Sequence, residues 1–388
     1  MTAEWFDLGQ RLRAAQSGQP APRLEHAPLA SVPHPVAVRA RRHNGQITVT
    51  AAAAAGHGPA TATGPAALDL LGTLGVTLAA ITPATLVTDD PATLGALFRL
   101  ALSAAPDSDA DTVAAHIAWW RDRADYPAGR AVVDTLAACR ARWTLGTDPA
   151  AEARPGPWRT WLGVPDDSVT GLLDVHTRLT AGTPLRWLDL LAEDDVWSYG
   201  AAQSEHSDGL DWRRPDSTGR AALGLRSRCD AADLYAAALL TDPIYRRRAV
   251  HTGHVVTGTA TPLEGKLKRA EVACPRLDSR LRPGNDLTGW VGGPAASAAP
   301  FSASVSAATV RAGQLILTLS GITGAAPGAG DPVTLTSAPP SPHRQRAGRK
   351  TYRALYNARR SWLTTGRTPT ATRRPVPLDV LVAGAEPD

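Results

Sequence analysis

The sequence predicts a multidomain α+β protein. An N-terminal β-hairpin and a mainly helical body are followed by a small antiparallel β-barrel, OB-like or similar, and a basic C-terminal helix and arm. Three observations lead to this fold class: apolar alternation around an Asn-Gly pair, apolar residues at helical spacing in the middle of the chain, and later a series of short strand-like runs. The predicted domains are 1–64 for the N-terminal helix and hairpin region, 65–250 for the helical body, 251–336 for the barrel and 337–388 for the basic helix and strap.

The hairpin is predicted by the residues on either side of Asn44-Gly45. Apolar and other residues alternate over 36–41 before this pair and again over 47–50 after it. Asparagine and glycine both tolerate a positive φ, which a two-residue hairpin turn requires. A ribbon of two strands is marginal alone, so we expect it to pack against other elements.

Helices are predicted over most of residues 65–250. Asp90-Pro91 combines a preferred N-cap residue with proline at the first helical position, and Leu94 and Leu97 follow at helical spacing. The charged stretch Glu193–Arg228 shows no such spacing and is predicted to be an irregular loop. Loops of this length in compact domains are commonly functional or disordered, and the aromatic residues of this stretch favour an ordered loop.

Short runs of strand-forming residues predict the barrel. These runs are His254–Thr259, Leu267–Pro275, Leu277–Val291, Phe301–Val310, Leu315–Ile322 and Val333–Thr336. Three arginines recur at even spacing near the start of the third run, and alternate residues of a strand face the same side. Arg276, Arg280 and Arg282 are therefore predicted to form either a phosphate-facing row or an exposed polar strand face.

Charge is unevenly distributed along the chain. The 388 residues include 41 Lys or Arg and 36 Asp or Glu, a net charge of +5. Ten of the basic residues and no acidic residue lie between Pro332 and Leu378, so the remainder has 31 basic and 36 acidic side chains. A strongly basic segment on a mildly acidic body most often indicates a nucleic-acid partner. The high arginine, alanine and glycine content is typical of a GC-rich bacterial coding sequence.

The basic segment is predicted to hold the binding residues. A helix over Arg344–Leu363, ended by Gly366, would place four arginines within about 60° of one another beside an apolar stripe, and an extended strap would follow. The predicted phosphate contacts are Arg346, Arg349, Arg353 and Arg360 on the helix and Arg373 and Arg374 on the strap, and the residues predicted to stack on unpaired bases are Tyr352, Tyr356 and Trp362. The alternative is a solvated helix that neutralises the acidic body of the same chain.

These observations predict a cytoplasmic bacterial protein that binds nucleic acid, DNA or RNA, mainly at its backbone, and that is a subunit of a larger complex. The first alternative is a structural or adaptor protein whose arm and terminal segment, Leu378–Ala385, bind an acidic protein partner. The second alternative is a metal-dependent nuclease that uses Glu205, His206 and Asp208, since carboxylates with an imidazole can hold Mg²⁺ or Mn²⁺.

Other chemistry is not indicated by the sequence. Asp242 with Glu264 and Lys266 fits the Asp…Glu-x-Lys pattern of restriction-type nucleases, but Gly265 between them fits a hairpin turn better. The sequence has neither Gly-x-Ser-x-Gly nor a phosphate-binding loop, so no catalytic residue, metal or cofactor is predicted. Its three cysteines are widely spaced, no secretion signal is expected, and no apolar stretch is long enough to span a bilayer, so we expect no membrane partner.

Overall fold

The computed structural model describes residues 2–54, 57–263, 268–296, 299–360 and 362–365. The chain divides into two compact units: unit 1, Met1–Pro215 with Arg228–Pro342, and unit 2, Asp216–Ser227 with His343–Asp388. Several sequence-based predictions lie outside the described residues: the strap arginines Arg373 and Arg374, the terminal segment Leu378–Ala385 and the turn at Glu264–Lys266.

Helices and strands alternate in the first part of the chain, and strands dominate after residue 254. The helices are α1 (Ala3–Ser17), α2 (Ala66–Thr73), α3 (Ala92–Ala101), α4 (Asp109–Arg123), α5 (Thr135–Arg142), α6 (Pro149–Glu152), α7 (Pro155–Leu162), α8 (Val169–Thr180), α9 (Leu188–Ser207), α10 (Thr218–Leu239), α11 (Pro243–Ala249), α12 (Pro342–Asn357) and α13 (Trp362–Thr365), with a 3-10 helix at Val250–Thr252. The strands are β1 (Ala21–Pro22), β2 (Pro35–His43), β3 (Gln46–Ala53), β4 (His57–Thr63), β5 (Thr85–Thr88), β6 (Val132–Asp134), β7 (Trp143–Thr144), β8 (Val255–Leu263), β9 (Arg269–Cys274), β10 (Asp286–Val291), β11 (Phe301–Arg311), β12 (Gln314–Gly324) and β13 (Pro332–Ser337). Within the described ranges, no helix has both the length and the apolar character needed to cross a membrane.

Five strands of unit 1 form an open mixed sheet in the order β4-β3-β2-β5-β6. β2 and β3 pair in antiparallel register across Asn44 and Gly45, whose φ angles are 49° and 82°. β5 pairs in parallel with both β2 and β6, so the stretch predicted to be mainly helical also contributes two strands to this sheet. All four residues of β5 are buried. A strand buried on both faces lacks the alternation by which a sequence reveals a strand.

Apolar residues cover both faces of this sheet. Val36 and Val38 of β2 belong to a core shared with α2, α3 and α4. On the opposite face, Ala37 and Val87 pack with Val169 and Leu172 of α8. Helices on both sides are the usual consequence of connecting parallel strands, because each crossover returns over one face of the sheet.

The stretch Glu193–Arg228 is mostly helical, so the predicted irregular loop is wrong. α9 continues to Ser207 and α10 begins at Thr218, which leaves only a short link. The prediction failed because Asp195 occupies a core-facing position in the buried stripe of α9. The carboxylate of Asp195 lies 2.5 Å from the Arg123 guanidinium, an ion pair that replaces an apolar contact.

Six strands of unit 1 pair only in antiparallel fashion and close on themselves in the order β10-β11-β12-β9-β8-β13. The prediction of a mixed α and β chain with an antiparallel sheet in its later part is confirmed, and this sheet has six strands. Residues such as Val272, Leu317 and Leu335 fill the interior. Gly289 leaves room for the Phe301 ring, because a Cβ at residue 289 would lie 2.2 Å from Phe301 Cζ.

Unit 2 pairs α12 with the first part of α10. The Tyr356 ring lies against Gly219, where a Cβ would be 2.1 Å from Tyr356 Cε2, and the Tyr356 hydroxyl is 2.8 Å from the Ser217 hydroxyl. About two helical turns earlier in α12, Arg349 donates to Ser227 Oγ at 2.9 Å. Residues that come later in α12 therefore meet residues that come earlier in α10, so the two helices run antiparallel.

Candidate nucleic-acid interface

Positive charge dominates unit 2. Its described residues, 216–227, 343–360 and 362–365, contain nine Arg or Lys side chains and one acidic side chain, Asp216. The basic residues are Arg220, Arg226, Arg344, Arg346, Arg349, Lys350, Arg353, Arg359 and Arg360. All of them except Arg349 are exposed. Because two paired helices provide little interior for charged groups, the positive charge of unit 2 lies at its surface.

α12 carries a strip of cationic side chains, formed by Arg346, Lys350 and Arg353. These residues are spaced by four and then three positions, so they lie on the same side of the helix. All three are exposed. Arg349 lies at the edge of this cationic strip and donates to Ser227 of α10, which helps to hold the two helices together. Of the three predicted arginines on α12, Arg346 and Arg353 lie in the exposed strip, whereas Arg349 is half-buried.

Arg360 does not lie on the helix, contrary to the prediction. α12 ends at Asn357, and Arg359 adopts a left-handed backbone conformation with a φ of 52°. The N–H groups of Arg359 and Arg360 donate to the carbonyls of Tyr356 and Leu355, both at 2.9 Å. This is the hydrogen-bond pattern of a Schellman helix end, in which glycine usually occupies the left-handed position. Without a glycine there, the sequence gives no sign that the helix stops.

The aromatic residues predicted to stack on bases differ in their surroundings. The Tyr356 ring packs on Gly219 and its hydroxyl contacts Ser217, so its role is to pair the helices. Tyr352 is 52% exposed, and the Arg226 guanidinium lies 6.0 Å from its ring centroid. The side chain of Trp362 lies outside the described part of the chain. Tyr352 is therefore the predicted stacking residue whose exposed ring fits that role.

The predicted row of barrel arginines is not on a strand. β9 ends at Cys274 and β10 begins at Asp286, so Arg276, Arg280 and Arg282 lie in the irregular connection between them. Prolines at 275 and 283 cannot donate to a strand ladder. The even spacing of the three arginines therefore does not place them on one side.

Two of these arginines are engaged within the connection itself. Arg276 Nε donates to Asp278 Oδ1 at 2.8 Å. Arg282 donates to the carbonyl oxygens of Ser279 and Leu281. Arg280 is exposed, and its backbone N–H donates to Gly253 O at 3.0 Å. The connection is thus held by its own polar groups, and its arginines do not form a phosphate-facing row.

An ion-pair network that the sequence prediction missed lies at the carboxyl ends of β5 and β6. Arg39 of β2 makes a bidentate contact with Asp89, at 3.0 Å from Nε to Oδ1 and 2.6 Å from a terminal nitrogen to Oδ2. The Arg159 guanidinium lies 2.7 Å from Asp167 Oδ1 and 3.4 Å from Asp89 Oδ2, and Arg39 also contacts Asp167 at 3.0 Å. The hydrogen bond from Arg39 to Asp89 raises the pKa of Arg39.

This edge of the sheet is a common ligand site in open α/β sheets, but here its carboxylates already have partners. Two guanidinium groups contact the carboxylate of Asp89. Asp134 caps α5 by accepting from Ala137 N at 3.0 Å, and burial, with a smaller effect from the charge of Asp89, raises the pKa of Asp134. Across the described ranges, no group of three or more His, Cys, Asp or Glu side chains is placed to hold a metal ion. We interpret this network as structural.

The candidate nuclease residues do not converge. Glu205 and His206 lie in the last turn of α9, and Asp208 follows the helix directly. The side chains of the consecutive residues Glu205 and His206 point about 100° apart, and the three residues do not form a group placed to hold a metal ion. The nuclease alternative therefore has no assembled site in the described part of the chain.

Asp242, the other residue of a possible nuclease pattern, has a structural role. Its Oδ1 accepts from the N–H groups of Ile244 and Tyr245 at 2.9 and 3.0 Å, which caps α11. Its Oδ2 accepts from the N–H groups of Glu25 and His26 at 2.8 and 2.9 Å and lies 2.9 Å from His26 Nδ1. The carboxylate joins two segments that are distant in sequence.

The chain matches no protein-family model, no curated protein and no solved structure. Its function therefore has to be inferred from the charge and geometry of its own residues.

Proposed function

We propose that the chain binds nucleic acid, chiefly through contacts between the phosphate backbone and the basic helix pair of unit 2. The proposal rests on the excess of nine basic over one acidic side chain in the described residues of that unit. Electrostatic attraction to phosphates supplies most of the affinity of such surfaces and is independent of base sequence. Arginine suits this role because its planar guanidinium can donate two parallel hydrogen bonds to a phosphate.

The arrangement of α12 supports contact along a strand of nucleic acid. Arg346, Lys350 and Arg353 lie on the same side over about two helical turns, so several phosphates of one strand can be contacted together. The exposed ring of Tyr352 is on the same helix and can stack on an unpaired base. Arg276 and Arg282 are held within the β9–β10 connection, so we assign the barrel a smaller part in binding than the sequence predicted.

The test is fluorescence anisotropy of labelled single- and double-stranded oligonucleotides with the full chain. If unit 2 makes about six phosphate contacts, affinity is expected to fall roughly a thousandfold between about 50 and about 200 mM salt. A triple variant, Arg346→Gln, Lys350→Gln and Arg353→Gln, is expected to bind more weakly at low salt. It should also lower the magnitude of the log–log salt slope by about 3, since each lost phosphate contact removes roughly one unit.

A control variant separates a local effect from a change in net charge. Arg41→Gln, Arg99→Gln and Arg178→Gln remove the same charge from exposed positions of unit 1. The control is expected to keep most of the affinity and the salt slope of the natural chain. Equal losses in both triple variants, or no binding of any oligonucleotide at about 50 mM salt, would contradict the proposal. In the second case the adaptor alternative, with an acidic protein partner, becomes the better explanation. Location in the cytoplasm and membership of a larger complex stay predictions from the sequence.

A further inference from the structure

A cleft of about 520 Å³ in unit 1 lies between the outer side of the barrel and the helices that precede it. Strands β10, β11 and β13 line one wall, and the end of α10 and the residues before α9 line the other. This volume is in the range of clefts that hold a small organic ligand. The cleft shares no residue with the basic helix pair of unit 2.

The barrel wall of the cleft carries hydroxyl groups. Inward residues of β11, such as Phe301 and Ala303, are buried in the barrel core, so the alternate residues Ser302 and Ser304 face outward. Ser302, Ser304, Thr288 and Thr336 all line the cleft. Ser304 Oγ donates to Asp286 Oδ1 at 2.7 Å, which orients a carboxylate at the same wall. A ligand here meets several hydrogen-bonding groups, with hydroxyls that both donate and accept.

An indole on this wall is backed by a buried cation. Trp290 lines the cleft, and the Arg246 guanidinium lies 4.3 Å from the Trp290 ring centroid. Arg246 is 2% exposed and is held by backbone carbonyls, with Nε donating to Pro294 O at 2.8 Å and a terminal nitrogen donating to Thr241 O at 3.2 Å. The guanidinium fixes the ring through a cation–π contact and adds positive potential to this side of the cleft.

The opposite wall carries Arg186 and Trp187. Trp187 is the N-cap of α9 and has a φ of 66°, a left-handed conformation that bulky residues rarely adopt. Strained conformations of this kind cluster at ligand sites, where the surrounding structure holds them in place. Here the conformation places the indole of Trp187 and the exposed Arg186 side by side at the cleft.

We propose that this cleft binds a nucleoside monophosphate group. An aromatic base suits the indole of Trp187, because flat π-systems stack favourably on tryptophan, and the buried Trp290 contributes an apolar ring edge to the same cleft. The phosphate suits the guanidinium of Arg186. The sugar hydroxyls and base edges suit the Asp286–Ser304 pair and its neighbouring hydroxyls, which accept and donate hydrogen bonds. The group comes either from a free nucleotide or from an unpaired nucleotide of a strand.

The test is isothermal titration of the full chain with adenosine 5′-monophosphate, adenosine and inorganic phosphate. A salt concentration of about 200 mM suppresses phosphate contacts of unit 2. Trp187→Gly suits this test because glycine adopts a positive φ without strain. The Trp187 ring also packs against the core that contains Leu185 and Leu188, so circular dichroism is used to check that the variant stays folded. We expect it to weaken both adenosine 5′-monophosphate and adenosine by about tenfold or more. Arg186→Gln is expected to weaken the monophosphate by about tenfold and to leave adenosine nearly unchanged.

Trp5→Ala serves as the control, because Trp5 is 65% exposed on α1 and does not line the cleft. A single-stranded oligonucleotide that displaces the monophosphate identifies a strand as the source, and one that does not displace it identifies a free nucleotide. Absence of monophosphate binding at about 1 mM, or binding that neither Trp187→Gly nor Arg186→Gln changes, overturns the proposal. Neither result bears on unit 2, whose binding is read from the salt slope and the triple variant.

Discussion

Replacing Asp242 with alanine is expected to be among the most destabilising single substitutions in unit 1. The side chain of Asp242 is 0% exposed and its two oxygens serve different segments. Oδ1 caps α11, whereas Oδ2 accepts backbone hydrogen bonds from Glu25 and His26 and contacts His26 Nδ1. Alanine leaves all of these donors without their acceptor.

The magnitude follows from the two roles of the carboxylate. Loss of an N-cap costs about 1 kcal/mol of unfolding free energy. Each further donor left without a partner in a poorly hydrated position costs roughly 1–3 kcal/mol, and the Glu25 and His26 N–H groups are partly buried. One lost cap and two further unsatisfied donors give an expected total of about 3–7 kcal/mol, which for a unit of this size lowers the melting temperature by on the order of 10 °C.

Asp148 provides a matched control. It also precedes a proline and caps a helix, accepting from Ala150 N at 3.1 Å, but it is exposed and serves α6 alone. Asp148→Ala is expected to cost about 1 kcal/mol. Thermal unfolding followed by circular dichroism compares the two variants with the natural chain. Equal shifts for Asp242→Ala and Asp148→Ala would refute the reasoning, because the contacts to the distant segment would then contribute nothing. Asp242→Asn is expected to fall between the two, since one side-chain oxygen is kept while an N–H₂ group faces donors.

Two further predictions concern helix packing and pH. Gly219→Ala is expected to separate the helices of unit 2 and weaken oligonucleotide binding, because the new Cβ would lie 2.1 Å from Tyr356 Cε2. Gly224→Ala on the same helix is the control, since its Cβ would meet nothing within 4 Å. This control should leave binding intact and add up to about 1 kcal/mol of helix stability. Limited proteolysis measures the opening of the helix pair, and fluorescence anisotropy measures oligonucleotide affinity. Similar affinities of the two variants would contradict the packing argument. Burial lowers the pKa of His116 from 6.5 to about 4. Between these values the unfolded chain binds a proton at this residue that the folded chain does not. The contribution of neutral His116 to folding stability is therefore full above about pH 6.5 and is lost as the pH falls towards 4. Between pH 7 and pH 5 this residue lowers the free energy of unfolding by about 2 kcal/mol. Urea unfolding of His116→Phe should therefore show a pH dependence smaller by that amount. A pH dependence equal to that of the natural chain would contradict the assignment to His116.

Features set by neighbouring residues were accessible from the sequence. The turn between β2 and β3 depends on Asn44 and Gly45 alone, because both tolerate a positive φ. The end of α12 was not predicted, because the neighbouring residues there do not include the glycine that usually marks a helix end. Arg359 adopts the left-handed conformation that glycine usually supplies, so no local residue marked the helix end.

Features set by distant partners were not accessible. β5 is buried on both faces, in part by α4 and α8, which come later in the chain, so its sequence shows no alternation. The sequence of α9 does not show a continuous apolar stripe, because the buried Asp195 occupies one of its core-facing positions. Asp195 forms an ion pair with Arg123 of α4, a helix distant in sequence. Arg39 and Asp89 form an ion pair although they are far apart in the chain, and no spacing rule relates them.

In the candidate interface, too, some features follow from the local sequence and others depend on residues that are distant in the chain. The excess of positive charge between Pro332 and Leu378 can be counted without knowing the fold, and the predicted importance of this segment for binding rests on that count. Which side chains are used to pair the helices depends on α10. Tyr356 was predicted to stack on bases, whereas its ring packs against Gly219, a residue more than a hundred positions away.

The strand pairing of unit 1 also bears on how copies of this chain behave when crowded together. A closed circuit of six strands presents no unpaired strand edge to another molecule. In the described part of the open sheet, one edge is β4, which contains Gly58 and Pro59, and the other is β6, which has only three residues. Proline lacks the N–H needed for pairing, and a three-residue strand is a poor template. Copies gathered side by side on a long polyanion would therefore have little opportunity to join through the strand edges of these two sheets, which disfavours strand exchange between them.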